Sequence, residues 1–183
     1  MLENITLSTA RLIIRDLNYD DLNFVHLIHS IPEVQKYATL DIPDSIAESE
    51  DYLRKYIDQQ NHKPRKEYGF CMSLFNNEPI GLIGLSNGLN KFMNAELWFK
   101  LYPEYWGRGY VTEAALAVLK FAFEELAIHR IEAGVATENI ASIKVLEKIG
   151  MQREGMRRKI LPIKGEWKDN FHYAILEEDF FNQ

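Results

Sequence analysis

Cysteine is almost absent from this chain of 183 residues, where Cys71 stands alone. One thiol excludes an intramolecular disulfide and is too few for a cysteine zinc site. Long apolar runs are also missing, and no stretch approaches the roughly 18 residues of a membrane-spanning helix. The N-terminal MLENITLSTARL has no basic segment followed by an apolar one, so no secretory leader is expected there and the cytoplasm is the expected compartment. Positive charge is in short supply: 27 Asp and Glu outnumber 21 Lys and Arg, for a formal net charge of −6. Such a chain is poorly suited to nucleic-acid phosphates and better suited to a cationic partner. The five histidines, His26 and His29 among them, lack metal-ligand spacing, so no metal is expected. No repeat, low-complexity tract or linker divides the chain, which points to a single domain over 1–183.

What is present is a globular composition, 46% hydrophobic and 26% charged. RLIIRDL (Arg11 to Leu17) reads as a strand. NYDDLNFVHLIHSI follows with Leu22, Val25, Leu27 and Ile28 at helical spacing, limited by Pro32. A second helix opens near Ser45, where Ser45 and Glu48 have the spacing of a capping box. YGFCMSLF and IGLIGLS, joined by NNEP, predict a hairpin, with Cys71 a small core hydrophobe. NAELWFKLY predicts another strand. A long helix follows it through about Leu126, then the strand HRIEAGVA and the helix NIASIKVLEKIG closed by Gly150. The hairpin MQREGMRRKIL and EWKDNFHYAIL, turning at Lys164-Gly165, ends the pattern. The order β α α β β β α β α β β implies a mixed α/β domain with a largely antiparallel sheet.

EYWGRGYVTEA (Glu104 to Ala114) joins a strand to the long helix. Gly107 and Gly109 let backbone amides turn outward and let a ligand come close. The helix start contributes unpaired N–H groups and the positive end of its dipole, and Arg108 adds a cation. These features suit a phosphate or pyrophosphate. The Walker pattern is absent, and Thr112 stands where a dinucleotide or kinase loop needs a third glycine.

Here the chain resembles the GNAT acetyltransferase superfamily, whose signature at this junction is Q/R-x-x-G-x-G/A, with Glu104 at the first position. STARLIIRDLNYDD, NAELWFKLYPEYWGRGYVTEA, HRIEAGVATENIASIKVLEKIGM and GEWKDNFHYAIL resemble, in order, four blocks of its ribosomal-protein N-terminal acetyltransferase (RimJ/RimL-type) branch. The resemblance implies a twisted sheet of about six to seven strands, splayed at the central strand, with about four helices. It implies acetyl-CoA as donor and a primary amine as acceptor. The backbone of Phe99 to Leu101 would meet the pantetheine arm. The amides of Trp106, Gly107, Arg108, Gly109, Tyr110 and Val111 would meet the pyrophosphate. Asn139 would contact the cofactor arm, and Ser142 would meet the departing sulfur, with Tyr173 in reserve for that proton. Lys148 or Lys144 could reach the cofactor phosphates.

Glu96 shares a strand face with Trp98 and Lys100, where a carboxylate could take the proton of an incoming ammonium. A solvated or salt-bridged strand glutamate is the plainer reading of Glu96. An N-cap is the plainer reading of Asn139, and a polar first-turn residue that of Ser142. Glu113 is expected to favour its helix start through the dipole. Six acids between residues 38 and 60 (Asp41, Asp44, Glu48, Glu50, Asp51, Asp58) fit either a solvated face or the wall of a cleft for a cationic amine. A protein N-terminus, a polyamine and an aminoglycoside are all compatible acceptors. Arg153, Arg157, Arg158, Lys159, Lys164 and Lys168 gather on the last hairpin, facing water or a second subunit of a homodimer. A CoA-binding regulatory domain without turnover is the alternative to an enzyme.

Overall fold

The computed structural model describes residues 4–86 and 91–182. Their core is one open sheet of eight strands: β1 (Thr6–Ser8), β2 (Leu12–Asp16), β3 (Glu67–Leu74), β4 (Pro79–Ser86), β5 (Asn94–Leu101), β6 (Arg130–Ala136), β7 (Gln152–Ile163) and β8 (Glu166–Leu176). The spatial order is β1-β2-β3-β4-β5-β6-β8-β7. Every neighbouring pair is antiparallel except β5 and β6. Five helices accompany it: α1 (Leu22–His29), α2 (Ile46–Gln59), α3 (Tyr110–Glu124), α4 (Ile140–Lys148) and α5 (Glu177–Phe181). The seven strands and four helices expected from the pattern are all present. β1 and α5 are additions, three and five residues long, too short to show a period.

The β3 and β4 segments carry apolar residues on both faces, as strands covered on both sides must, whereas β5 and β6 alternate, with Glu96, Trp98 and Lys100 and then Arg130, Glu132 and Gly134 on the face away from α3. Two clusters separate the faces. Leu12, Ile14, Phe70, Ile83, Leu85, Leu97 and Ile131 pack with Val118, Leu119 and Ala122 of α3. Leu17, Cys71 and Leu82 pack on the opposite face with Val25, Ile28, Leu53 and Tyr56 of α1 and α2. Cys71 is fully buried and burial pushes its thiol up to about 12, which makes it an inert core residue as expected.

The expected capping box at Ser45 does not form. Ser45 takes the extended N-cap conformation without a side-chain cap, and Glu48 instead accepts from the amide of Asp44 at 3.2 Å. Asn139 does cap α4, accepting from the Ser142 amide at 3.2 Å, and Gly150 follows that helix with φ +86°. No helix among the described residues is long and apolar enough to cross a membrane.

Candidate active site

The sheet forks at one place. β5 and β6 pair only from Asn94 opposite Arg130 to Glu96 opposite Glu132. Beyond Glu96, β5 keeps its bonds to β4 through Leu101 while β6 turns to β8 through Ala136. The inner edges of Leu97–Leu101 and Ala133–Ala136 therefore face each other unpaired. An unpaired parallel edge presents backbone N–H and C=O groups that a ligand with amide groups of its own can satisfy. Phe99 lies in this segment. The Leu101 carbonyl already accepts from the Trp106 indole at 2.7 Å, which ties the start of the glycine loop to the end of β5.

That loop has the conformation its glycines predict. Gly107 has φ +74°, and Gly109, the N-cap of α3, has φ +80°. Left-handed backbone costs other L-residues about 1–2 kcal/mol each, so a glycine at both positions removes that cost. Glu113 donates the first amide bond of α3, to the Gly109 carbonyl at 3.0 Å. Among the described residues the amides from 107 to 112 meet no protein acceptor. A run of free N–H groups at the start of a 15-residue helix is an anion site in waiting. Around Gly107 there is open space, with nothing within 4 Å of the position a Cβ would take. Arg108 is exposed, its guanidinium 5.7 Å from the Tyr105 ring, and Tyr105 in turn hydrogen-bonds Glu78. Glu104 is exposed in the short turn before the loop.

The face of β5 opposite α3 holds Glu96, Trp98 and Lys100. Trp98 packs 5.4 Å from Tyr56 of α2, and its indole N–H is buried without a partner. Lys100 donates to Gln35 at 2.6 Å, and Gln35 donates onward to the carbonyls of Leu40 and Asp41 at 3.3 Å. This chain of bonds fixes the loop between α1 and α2 against β5. Burial lowers the Lys100 ammonium to about 7. The unfolded chain then holds a proton between pH 7 and 10 that the native state lacks, so native stability rises with pH across that window. Wild type is expected to gain stability relative to Lys100→Met as pH goes from 7 to 10, read from urea denaturation at each pH.

Glu96 stands at the fork, the last residue of β5 paired with β6. Among the described residues its carboxylate has no hydrogen-bond or ion-pair partner. Solvent reaches it, yet the cleft holds its pKa above the ordinary value, first through desolvation and then through Glu132, with His172 and Arg157 opposing. These residues, with Asn170 and Ile160, line a depression of about 150 Å³. A second depression, about 240 Å³, lies at the α1–α2 side between His29, Tyr52, Asp41 and Glu48. Of the six acids between residues 38 and 60, only Asp41 and Glu48 line it. Glu50 and Asp51 pair instead with Arg54 on α2.

Ser142 lies in the first turn of α4, just beyond the end of β6, half-buried with Asn139 beside it. Lys144 and Lys148 are exposed on that helix. Tyr173 is buried on β8 and donates to Glu147 at 3.2 Å, so its hydroxyl is engaged. Glu113 does more than favour its helix start, because it accepts from Thr9, the Arg11 amide and the Arg11 guanidinium. Arg11 has no signal in the sequence, since its partners lie about a hundred positions away.

The sequence model of the acetyltransferase (GNAT) domain matches residues 11–152. An uncharacterized N-acetyltransferase of Bacillus subtilis is 33% identical over 176 residues, 95% of this chain and 98% of the relative. A spermidine N-acetyltransferase from Vibrio cholerae, solved with CoA and spermine, superposes with a TM-score of 0.85 at 25% identity, covering 95% of this chain and all of that one. A ribosomal-protein-S5-alanine acetyltransferase from Vibrio fischeri shares the fold, with a TM-score of 0.84 at 21% identity over 96% and 98% of the two chains.

Proposed function

The chain belongs to the GNAT acetyltransferase family and is an acetyl-CoA-dependent N-acetyltransferase, and we propose that it acetylates a protein N-terminal α-amine at the fork between β5 and β6. The observation that carries this reading is the unpaired carboxylate of Glu96 at the point where the strands part. In the proposed complex the free amides of residues 107–111 hold the pyrophosphate, with Arg108 and Lys148 near the phosphates; the Trp106 amide, expected among them, is already engaged, donating to the Pro103 carbonyl at 3.1 Å. The pantetheine arm runs along Phe99 to Leu101, with Asn139 on its other side. The thioester then lies beside Glu96.

Glu96 takes the proton from the incoming ammonium, directly or through one water. The neutral amine attacks the thioester carbon, the C–S bond breaks, and the thiolate of CoA leaves. Ser142 donates a hydrogen bond to that sulfur as charge builds on it. No enzyme nucleophile is needed. A free α-amine has a pKa near 8, so a carboxylate of raised pKa is base enough, whereas a lysine-type amine near 10 asks for more.

The α-amine reading is supported by the shape of the acceptor face. Its two depressions, about 240 and 150 Å³, are each smaller than the roughly 300 Å³ at which a pocket begins to enclose a small ligand. A face that does not enclose a small ligand suits the end of an extended chain. A second reading, a small polyamine, is favoured by the Glu96–Glu132 carboxylate pair and by the spermidine N-acetyltransferase relatives. Steady-state rates with acetyl-CoA and a panel of acceptors separate the two. Peptides with free basic N-termini are expected to exceed spermidine in kcat/KM by about tenfold or more, an advantage of about 1.4 kcal/mol. Spermidine outrunning every peptide would transfer the assignment to the second reading.

A further inference from the structure

We infer that Arg11, held by Glu113 and Thr9, is a clasp that shapes the glycine loop before acetyl-CoA arrives, which makes Arg11 a positioning residue for the cofactor. The inference rests on the proposed role of that loop as the pyrophosphate cradle. Arg11 sits in the turn between β1 and β2, at the far edge of the sheet in sequence terms. Its Nη1 donates to the Arg108 carbonyl at 3.0 Å. Its Nε donates to Glu113 at 2.7 Å, and its backbone amide donates to the same carboxylate at 2.9 Å. Thr9 Oγ1 donates to that carboxylate at 2.6 Å, and the guanidinium lies 4.3 Å from the centre of the Tyr110 ring.

Two physical consequences follow from these contacts. Across a trans peptide the carbonyl and the next N–H point in opposite directions. Holding the Arg108 carbonyl toward Arg11 therefore turns the Gly109 amide the other way, away from β1 and β2. A loop with two glycines in seven residues is otherwise costly to order, because glycine loses the most backbone freedom. A clasp that orders it in advance removes that cost from binding. The second consequence is electrostatic. Glu113 carries a negative charge one turn into the helix whose start would receive a pyrophosphate, and the Arg11 ion pair neutralises it.

The test compares acetyl-CoA with S-acetylpantetheine, which has the thioester arm but no pyrophosphate. The readout is the ratio of kcat/KM for the two donors. Arg11→Met is expected to lower that preference about tenfold, through a higher KM for acetyl-CoA. Arg11→Lys, which keeps one donor and the charge, is expected to restore part of it. Glu113→Gln, which keeps the shape of the acceptor but loosens the hold on Arg11, is expected to lower it by less than Arg11→Met, because losing the carboxylate charge offsets part of the effect. A merely structural role would depress both donors together and leave the ratio fixed, and that result overturns the clasp. Gly107→Asp separates the clasp from the cradle. If it lowers the preference while the Arg11 and Glu113 variants do not, the clasp alone is wrong. If it too leaves the preference unchanged, the cradle reading falls and the clasp with it.

Discussion

Replacing Glu96 by glutamine is expected to lower kcat by about 100-fold or more with little change in the affinity for acetyl-CoA, the low end of what a positioned base contributes. Glutamine keeps the size and strand preference of glutamate and removes only the proton acceptor. Glu96 makes no hydrogen bond or ion pair among the described residues, so its loss breaks no structural contact. The pH profile carries the same assignment. Desolvation and Glu132 raise the Glu96 carboxyl above its ordinary value. The base form then exists only above that raised value, and activity with wild type falls as pH drops through it. The acid limb of kcat/KM is expected above the ordinary carboxylate range, and Glu96→Gln is expected to abolish it. A variant that keeps wild-type kcat and the same limb would remove Glu96 from the mechanism.

Gly107→Asp is expected to raise the dissociation constant for CoA by about 100-fold while the fold survives. The position has φ +74° and open space where a side chain would begin. Asp tolerates this backbone region better than most residues, so the substitution tests charge more than strain. A carboxylate set among the free amides of residues 107–112 would occupy them itself and repel a pyrophosphate. Like charges brought together in an interface cost several kcal/mol, and each 1.4 kcal/mol is tenfold in affinity. Calorimetric titration with CoA reads the effect directly, and a thermal melt without ligand checks the fold. Unchanged affinity would show that the loop is only a turn.

The parts of this molecule that were legible in the sequence are those set by local chemistry. The hairpin turn at Lys164-Gly165 could be read because Gly165 takes the left-handed conformation at no steric cost, and both residues have positive φ. The glycines of WGRG marked a helix start with left-handed backbone for the same reason, and both have positive φ. Asn139 announced its cap. What could not be read depends on contacts distant in sequence. Arg11 reaches Glu113 across 102 positions. The fork after Glu96 is a property of two strands and their other neighbours, so alternation along β5 gives no hint of where β6 leaves it. The low pKa of Lys100 comes from burial beneath the α1–α2 loop. The Ser45 box failed for a smaller reason: Glu48 found the Asp44 amide, one residue earlier, a choice that spacing alone cannot make.

The most direct measurement is a crystal structure with acetyl-CoA bound. The pyrophosphate oxygens are expected within hydrogen-bond distance of amides between residues 107 and 111. The pantetheine arm is expected in the gap between β5 and β6, with the thioester carbon beside the Glu96 carboxylate. A pyrophosphate held elsewhere, or an acetyl group remote from Glu96 with the gap empty, would contradict the account.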